Sequence, residues 1–153
     1  MNGQEIDEIL YSYHATKQHY LGNFPIDQLP QRPKPPYSIV INYDESHKEG
    51  SHWVCIYADQ YETHFHDSLG ITPFRIEIAS FLDPENYTSS IKPLQHERSD
   101  ACGAHAIAYI VKRSTGMSTL QYLDHFGDDR KENDDIVVDF VRILKWEQLV
   151  SPS

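Results

Sequence analysis

The chain has 153 residues, of which 39% are hydrophobic, so it can bury a core without staples, and a single domain over 1–153 is expected. Two cysteines are too few for a disulfide framework. With no signal-peptide pattern and no apolar run of membrane-spanning length, no membrane association is expected, and the setting is a reducing one: cytoplasm, nucleus or the interior of a virion. Thirteen Lys and Arg against 23 Asp and Glu give a formal net charge of −10 without any basic stripe, which argues against a nucleic-acid partner.

In chain order, Ile6, Ile9, Leu10 and Tyr13 recur at helical spacing and predict an amphipathic helix over roughly residues 4–17. Residues 22–36 carry five of the nine prolines and read as an extended, ordered loop. Residues 37–43, rich in β-branched and aromatic side chains, predict a strand, and the polar residues 44–50 a hairpin turn. Strands at 52–58 and 63–68 complete an antiparallel meander. A short helix is expected over 74–82 behind Thr72 and Pro73, and a fourth strand within 86–94. A helix capped by Ser118 runs to Phe126, and a last one opens at Asn133-Asp134-Asp135. Its packing face is Ile136, Val137, Phe140, Val141, Ile143 and Leu144, with a frayed tail after Leu149. Helices at both ends with strands between them make the class α+β.

The chemistry centres on Gln95-His96-Glu97-Arg98-Ser99-Asp100-Ala101-Cys102-Gly103. The residues after Gly103 are helix formers with apolar groups on nearly every side, so Cys102 sits in the first turn of a buried helix. Free N–H groups and the positive end of the helix dipole favour a thiolate there. Gly103 leaves room for a substrate backbone, and the neutral amide of Gln95 can donate to a developing oxyanion. On the strand at 52–58, alternation puts His52, Val54 and Ile56 on one face and Trp53, Cys55 and Tyr57 on the other. Cys55 therefore reads as a small buried hydrophobe. Asp67 is a strand-end carboxylate. If its strand pairs with that of His52, the carboxylate can orient the imidazole, and the imidazole can take the proton of Cys102.

Taken singly, each residue has a structural reading: a satisfied histidine, a turn-forming Asp, an unremarkable Gln. Together, the order His-Trp, Asp-Ser, Gln, Cys-Gly requires four independent coincidences. Nine histidines include His64 and His66 on one strand face, but no third ligand at a recognisable spacing accompanies them, so no metal or other cofactor is expected.

These residues carry a family resemblance. Gly50-Ser51-His52-Trp53-Val54, His66-Asp67-Ser68-Leu69-Gly70 and Gln95 followed by Cys102-Gly103 resemble the adenovirus-type (adenain-like) and SUMO-protease-like cysteine peptidases. Upstream, Tyr20-Leu21-Gly22-Asn23-Phe24 and Ile39-Val40-Ile41-Asn42 are similar to segments of adenovirus endopeptidases and of their relatives in Polinton-like elements, as is Asn133-Asp134. The likeness covers roughly residues 20–144. It implies a papain-like fold in permuted chain order, with a central mixed or antiparallel sheet and a buried helix starting at the nucleophile. It further implies His52 as general base, Asp67 as its orienter, Cys102 as nucleophile, Gln95 in the oxyanion hole, and Trp53 and Gly103 at the substrate. The expected activity is that of a monomeric cysteine endopeptidase acting on polypeptide next to small residues, glycine above all, with structural proteins of a virus or virus-like element as the expected substrates. A deconjugase of ubiquitin-like modifiers is the alternative, and an inactive binding module a third reading. Ala101 separates Asp100 from Cys102, unlike the direct Asp-Cys of SUMO proteases, which leans toward the adenovirus-like branch. No cysteine lies in residues 84–93 and the chain is acidic, so neither a disulfide-linked peptide activator nor DNA stimulation is expected.

Overall fold

A computed structural model describes residues 1–45 and 52–150. The elements are α1 (Gly3–Ser12), β1 (Tyr20–Pro25), a 3-10 turn (Ile26–Gln28), β2 (Tyr37–Asn42), β3 (Trp53–Ala58), β4 (Thr63–His66) and α2 (Ile76–Phe81). There follow β5 (Thr88–Ser89), α3 (Cys102–Ser114), α4 (Thr119–Leu123) and α5 (Arg130–Val150). The strands form a mixed sheet in the order β1-β2-β3-β4-β5. Its centre is the expected meander, with β2–β3 and β3–β4 antiparallel, while β1 and β5 add to the edges in parallel.

Period-two alternation builds a core on each face of this sheet. Ile39, Ile41, Val54, Ile56 and Phe65 point to one side, where Ile78 and Phe81 of α2 cover them. Val40, Cys55 and Tyr57 point to the other, against α1, α3, α4 and α5. Helix α3 lies inside this second layer. Ala104, Ala106 and Ala108 keep its profile slim, and Ile107, Tyr109, Ile110 and Val111 are buried around it. An apolar helix enclosed on all sides holds its first residue, Cys102, at a set height over the sheet.

Several boundaries differ from expectation. Strand β1 takes the first residues of the proline-rich stretch, 22–25, because its single proline, Pro25, stands at the end of an edge strand where no ladder N–H is required. Helix α1 stops at Ser12, where the Tyr13 N–H donates to Ile9 O and the buried Thr16 hydroxyl donates to Leu10 O at 2.6 Å, turning the chain away. Helix α2 starts at Ile76, two residues late, with Arg75 at its cap position. Only Thr88–Ser89 of the expected fourth strand pairs. Ser118 caps α4 through a capping box with Gln121, but the helix ends at Leu123. Helix α5 opens at Arg130, where Asp129 Oδ1 accepts the Glu132 N–H at 3.1 Å; Asn133 and Asp134 are buried side chains of its first turn rather than its caps. On α5, Val137, Val141 and Leu144 are buried and Phe140 is partly so, whereas Ile136 and Ile143 face outward. The expected turn at 44–50 lies, beyond Glu45, outside the described residues, as does the tail after Val150.

Candidate active site

Cys102 is the first residue of α3, and no side chain caps the helix ahead of it. The first-turn N–H groups are thus free of a capping side chain. His52 lies one residue before β3, continuing the ladder through a Tyr43 N–H bond to its carbonyl at 3.1 Å. Asp67 lies one residue after β4 and is fully buried. Antiparallel pairing of β3 with β4 brings these two ends together, and His52 Nε2 meets Asp67 Oδ1 at 2.9 Å. The same carboxylate oxygen accepts the Leu69 N–H at 2.9 Å, which holds it in the turn. With Nε2 engaged by Asp67, Nδ1 is the ring nitrogen left over, and Cys102 is close enough for the two groups to shift each other's charge.

The electrostatics follow from these contacts. Burial opposes a charged His52, yet its hydrogen bonds to Asp67 and Cys102, and their charges, outweigh burial and push it up to about 9. Burial likewise opposes the Cys102 thiolate. The His52 hydrogen bond, the Trp53 backbone N–H, the imidazolium charge and the Gly103 N–H nevertheless hold the thiol below its ordinary range. Cys55, on the face of β3 that packs toward α3, points its Sγ at Ala106 O, 3.9 Å away, and burial drives its pKa upward. Burial thus opposes ionisation of both thiols, and neighbouring groups reverse it at Cys102.

Gln95 is 2% exposed and follows the β5 segment. Ser68 O accepts both the Leu94 and Gln95 N–H groups, at 2.8 and 2.9 Å. The Gln95 carboxamide accepts from Ser68 Oγ at 2.6 Å and donates from Nε2 to Ser99 O at 3.0 Å, in the loop that leads to Cys102. Trp53 is half-buried against the α3-side core, and its backbone N–H helps to lower the Cys102 pKa. Gly103 faces the N-terminal segment of the same chain. A Cβ there would meet Ile6 Cδ1 at 3.4 Å and Met1 at 3.5 Å, ordinary van der Waals contacts.

Some contributors were not evident in the sequence. Arg130 Nε donates to Gln95 O, Asn133 Nδ2 donates to Leu94 O at 3.2 Å, and Asp134 accepts from the His96 N–H at 3.3 Å and from His105 Nε2 at 2.8 Å. The first turn of α5 thus clamps residues 94–96. Tyr43 places its ring 5.6 Å from that of His52, and Phe74 packs on Tyr43 at the same separation. Position Tyr43 at the end of a strand opposite His52 was the available signal for this contact. His64 and His66 share the Ser90 hydroxyl, each at 2.8 Å, and among the described residues no group of three His, Cys, Asp or Glu is disposed to hold a metal.

These features define an α+β protein with a five-stranded mixed sheet whose central hairpin presents His and Asp to a cysteine at the start of a buried helix. No protein-family model matches the chain, and no curated protein matches it in sequence. Solved structures do share its fold. ChlaDub1 from Chlamydia trachomatis superposes with a TM-score of 0.67 at 15% identity, covering 100% of this chain and 95% of that one. Two structures of the ASFV pS273R protease give TM-scores of 0.62 and 0.61 at 15% and 16% identity, covering 90% and 89% of this chain. They match over 66% and 65% of that protein, so the chain spans just under two thirds of its length. The shared fold is the papain-like arrangement in permuted order; in this chain the strands next to His52 and Asp67 precede the helix that starts at Cys102.

Proposed function

We propose that the chain is a cysteine peptidase with Cys102 as nucleophile, His52 as general base and acid, and Asp67 as the group that orients and charges the imidazole. The observation that carries this reading is His52 bonded to the buried Asp67 carboxylate at 2.9 Å while coupled to a thiol of lowered pKa at the start of α3. In the mechanism, the Cys102 thiolate attacks the scissile carbonyl carbon, and the oxyanion takes hydrogen bonds from Gln95 Nε2 and the Cys102 N–H. Protonated His52 gives its proton to the leaving amine, which departs and leaves a thioester. His52 then takes a proton from water, the hydroxide attacks the thioester, and collapse expels the thiolate with the acid product.

The substrate in this reading is an extended polypeptide cut next to glycine, as in maturation of viral or virus-like structural proteins, with Trp53 at the cleft. The enzyme works as a monomer, without cofactor or DNA. The second reading, a deconjugase of ubiquitin-like modifiers, draws on Phe74, exposed beside Tyr43, and on the exposed Ile76 as apolar surface on which a folded partner can rest. Turnover of short glycine-containing peptides is compared with release of a C-terminal fluorophore from intact ubiquitin and SUMO. Peptide turnover lost in Cys102→Ala supports the endopeptidase. Efficient release from an intact modifier, with its tail peptide inert, overturns it in favour of the deconjugase.

A further inference from the structure

Gln95 can serve the oxyanion only if its carboxamide is turned with nitrogen toward the nucleophile loop, and a carboxamide rotates through its two orientations at little intrinsic cost. Here the orientation is determined. Ser99 O, an acceptor only, lies 3.0 Å from one end of the amide, so that end is Nε2. The other end is then Oε1, and Ser68 Oγ, 2.6 Å away, must be its donor. Ser68 is 2% exposed, and its carbonyl also accepts the Gln95 N–H, so one residue holds Gln95 by both backbone and side chain.

We propose that Ser68 is a positioning residue for the oxyanion donor, its hydroxyl fixing the turn of the Gln95 carboxamide. This rests on the peptidase reading above. Asp67 orients His52 and the adjacent Ser68 orients Gln95, so a single turn after β4 aligns the base and the oxyanion site together. Without the Ser68 hydroxyl, the buried Oε1 loses its donor and the amide is held at its nitrogen end alone, by Ser99, which loosens its aim and weakens an interaction made chiefly in the transition state.

The test compares Ser68→Ala, Ser68→Thr, Gln95→Ala and the Ser68→Ala/Gln95→Ala double variant. Ser68→Ala is expected to lower kcat by about 10- to 100-fold with KM nearly unchanged, within the roughly 100- to 1,000-fold loss from removing an oxyanion donor. Ser68→Thr, which keeps the hydroxyl, restores most of the rate. The double variant matches Gln95→Ala, because Ser68 acts through Gln95. The pH profile and the rate of Cys102 alkylation stay at wild-type values in Ser68→Ala. Independently of turnover, the side-chain amide signals of Gln95 in 15N NMR shift and exchange faster with water in Ser68→Ala. Multiplicative losses in the double variant, a changed alkylation rate, or unaltered Gln95 amide signals would overturn the proposal. Absence of peptide turnover in the wild type would strike the peptidase reading instead, and the NMR comparison would still decide whether Ser68 holds Gln95.

Discussion

His52 stands at the open end of the β3–β4 hairpin, its side chain 17% exposed, while His64 and His66 lie further along β4 under α3. All three are desolvated, yet their charges move in opposite directions. His64 is depressed to about 4 by burial, and His66, stacked on Tyr109 at 4.4 Å, is depressed by burial and by the neighbouring His64 and His105. Their hydrogen-bond partners are the neutral hydroxyls of Thr88 and Ser90. His105 completes the comparison: it bonds Asp134 at 2.8 Å but is wholly buried, and burial still wins. A carboxylate alone thus does not charge a histidine in this core. His52 is charged because it has residual exposure, Asp67 and a second acidic partner in Cys102.

The largest effect comes from removing that second partner. Cys102→Ala is expected to abolish peptide cleavage and to lower the His52 pKa, whereas Cys55→Ala, on the neutral side of the sheet, keeps activity; mapping iodoacetamide adducts finds Cys102 modified ahead of Cys55. Modification of Cys55 first would erase the distinction. Next is Asp67→Asn, expected to cost on the order of 10²- to 10⁴-fold in kcat by analogy with carboxamide replacement in a serine-protease triad. Its NMR titration places His52 below the wild-type value of about 9. In the wild type the active ion pair exists above the lowered Cys102 pKa and below that of His52, so the alkaline limb of the rate profile falls near pH 9.

The third prediction separates the two regions by stability. His52, raised on folding, contributes stability fully present below its unfolded pKa of about 6.5 and lost as pH rises through about 9. His64, depressed on folding, contributes stability present above about 6.5 and lost as pH falls toward about 4, on the order of 3 kcal/mol for a shift of this size. Denaturant unfolding at pH 7 and pH 4 measures this, and His64→Gln flattens the acid slope. An unchanged slope would mean that His64 is not held neutral by the fold. The smallest effect is Ser118→Ala, outside both regions. Loss of the α4 capping box costs about 1 kcal/mol of stability by thermal unfolding and leaves peptide cleavage unaltered.

The sequence by itself determined the strands of the central meander, the opposite facing of Val54 and Cys55, the buried helix at Cys102 and the capping of α4. Each is written in residues one to four apart, where strand alternation, helix periodicity and caps act. Juxtaposition of His52 with Asp67 was also legible, because a hairpin converts short sequence separation into contact. Only the tertiary structure decided the rest. Strand β1 within the proline-rich stretch exists because β2 offers it an edge, and Gly103 faces Met1 and Ile6 because α1 packs there. The Ser68–Gln95 and His105–Asp134 bonds join residues 27 and 29 apart, and buried polar groups take whatever partner the packed elements bring within reach. No local pattern specifies that partner, since it is selected by the cost of leaving a buried donor or acceptor unpaired once the two core layers have closed.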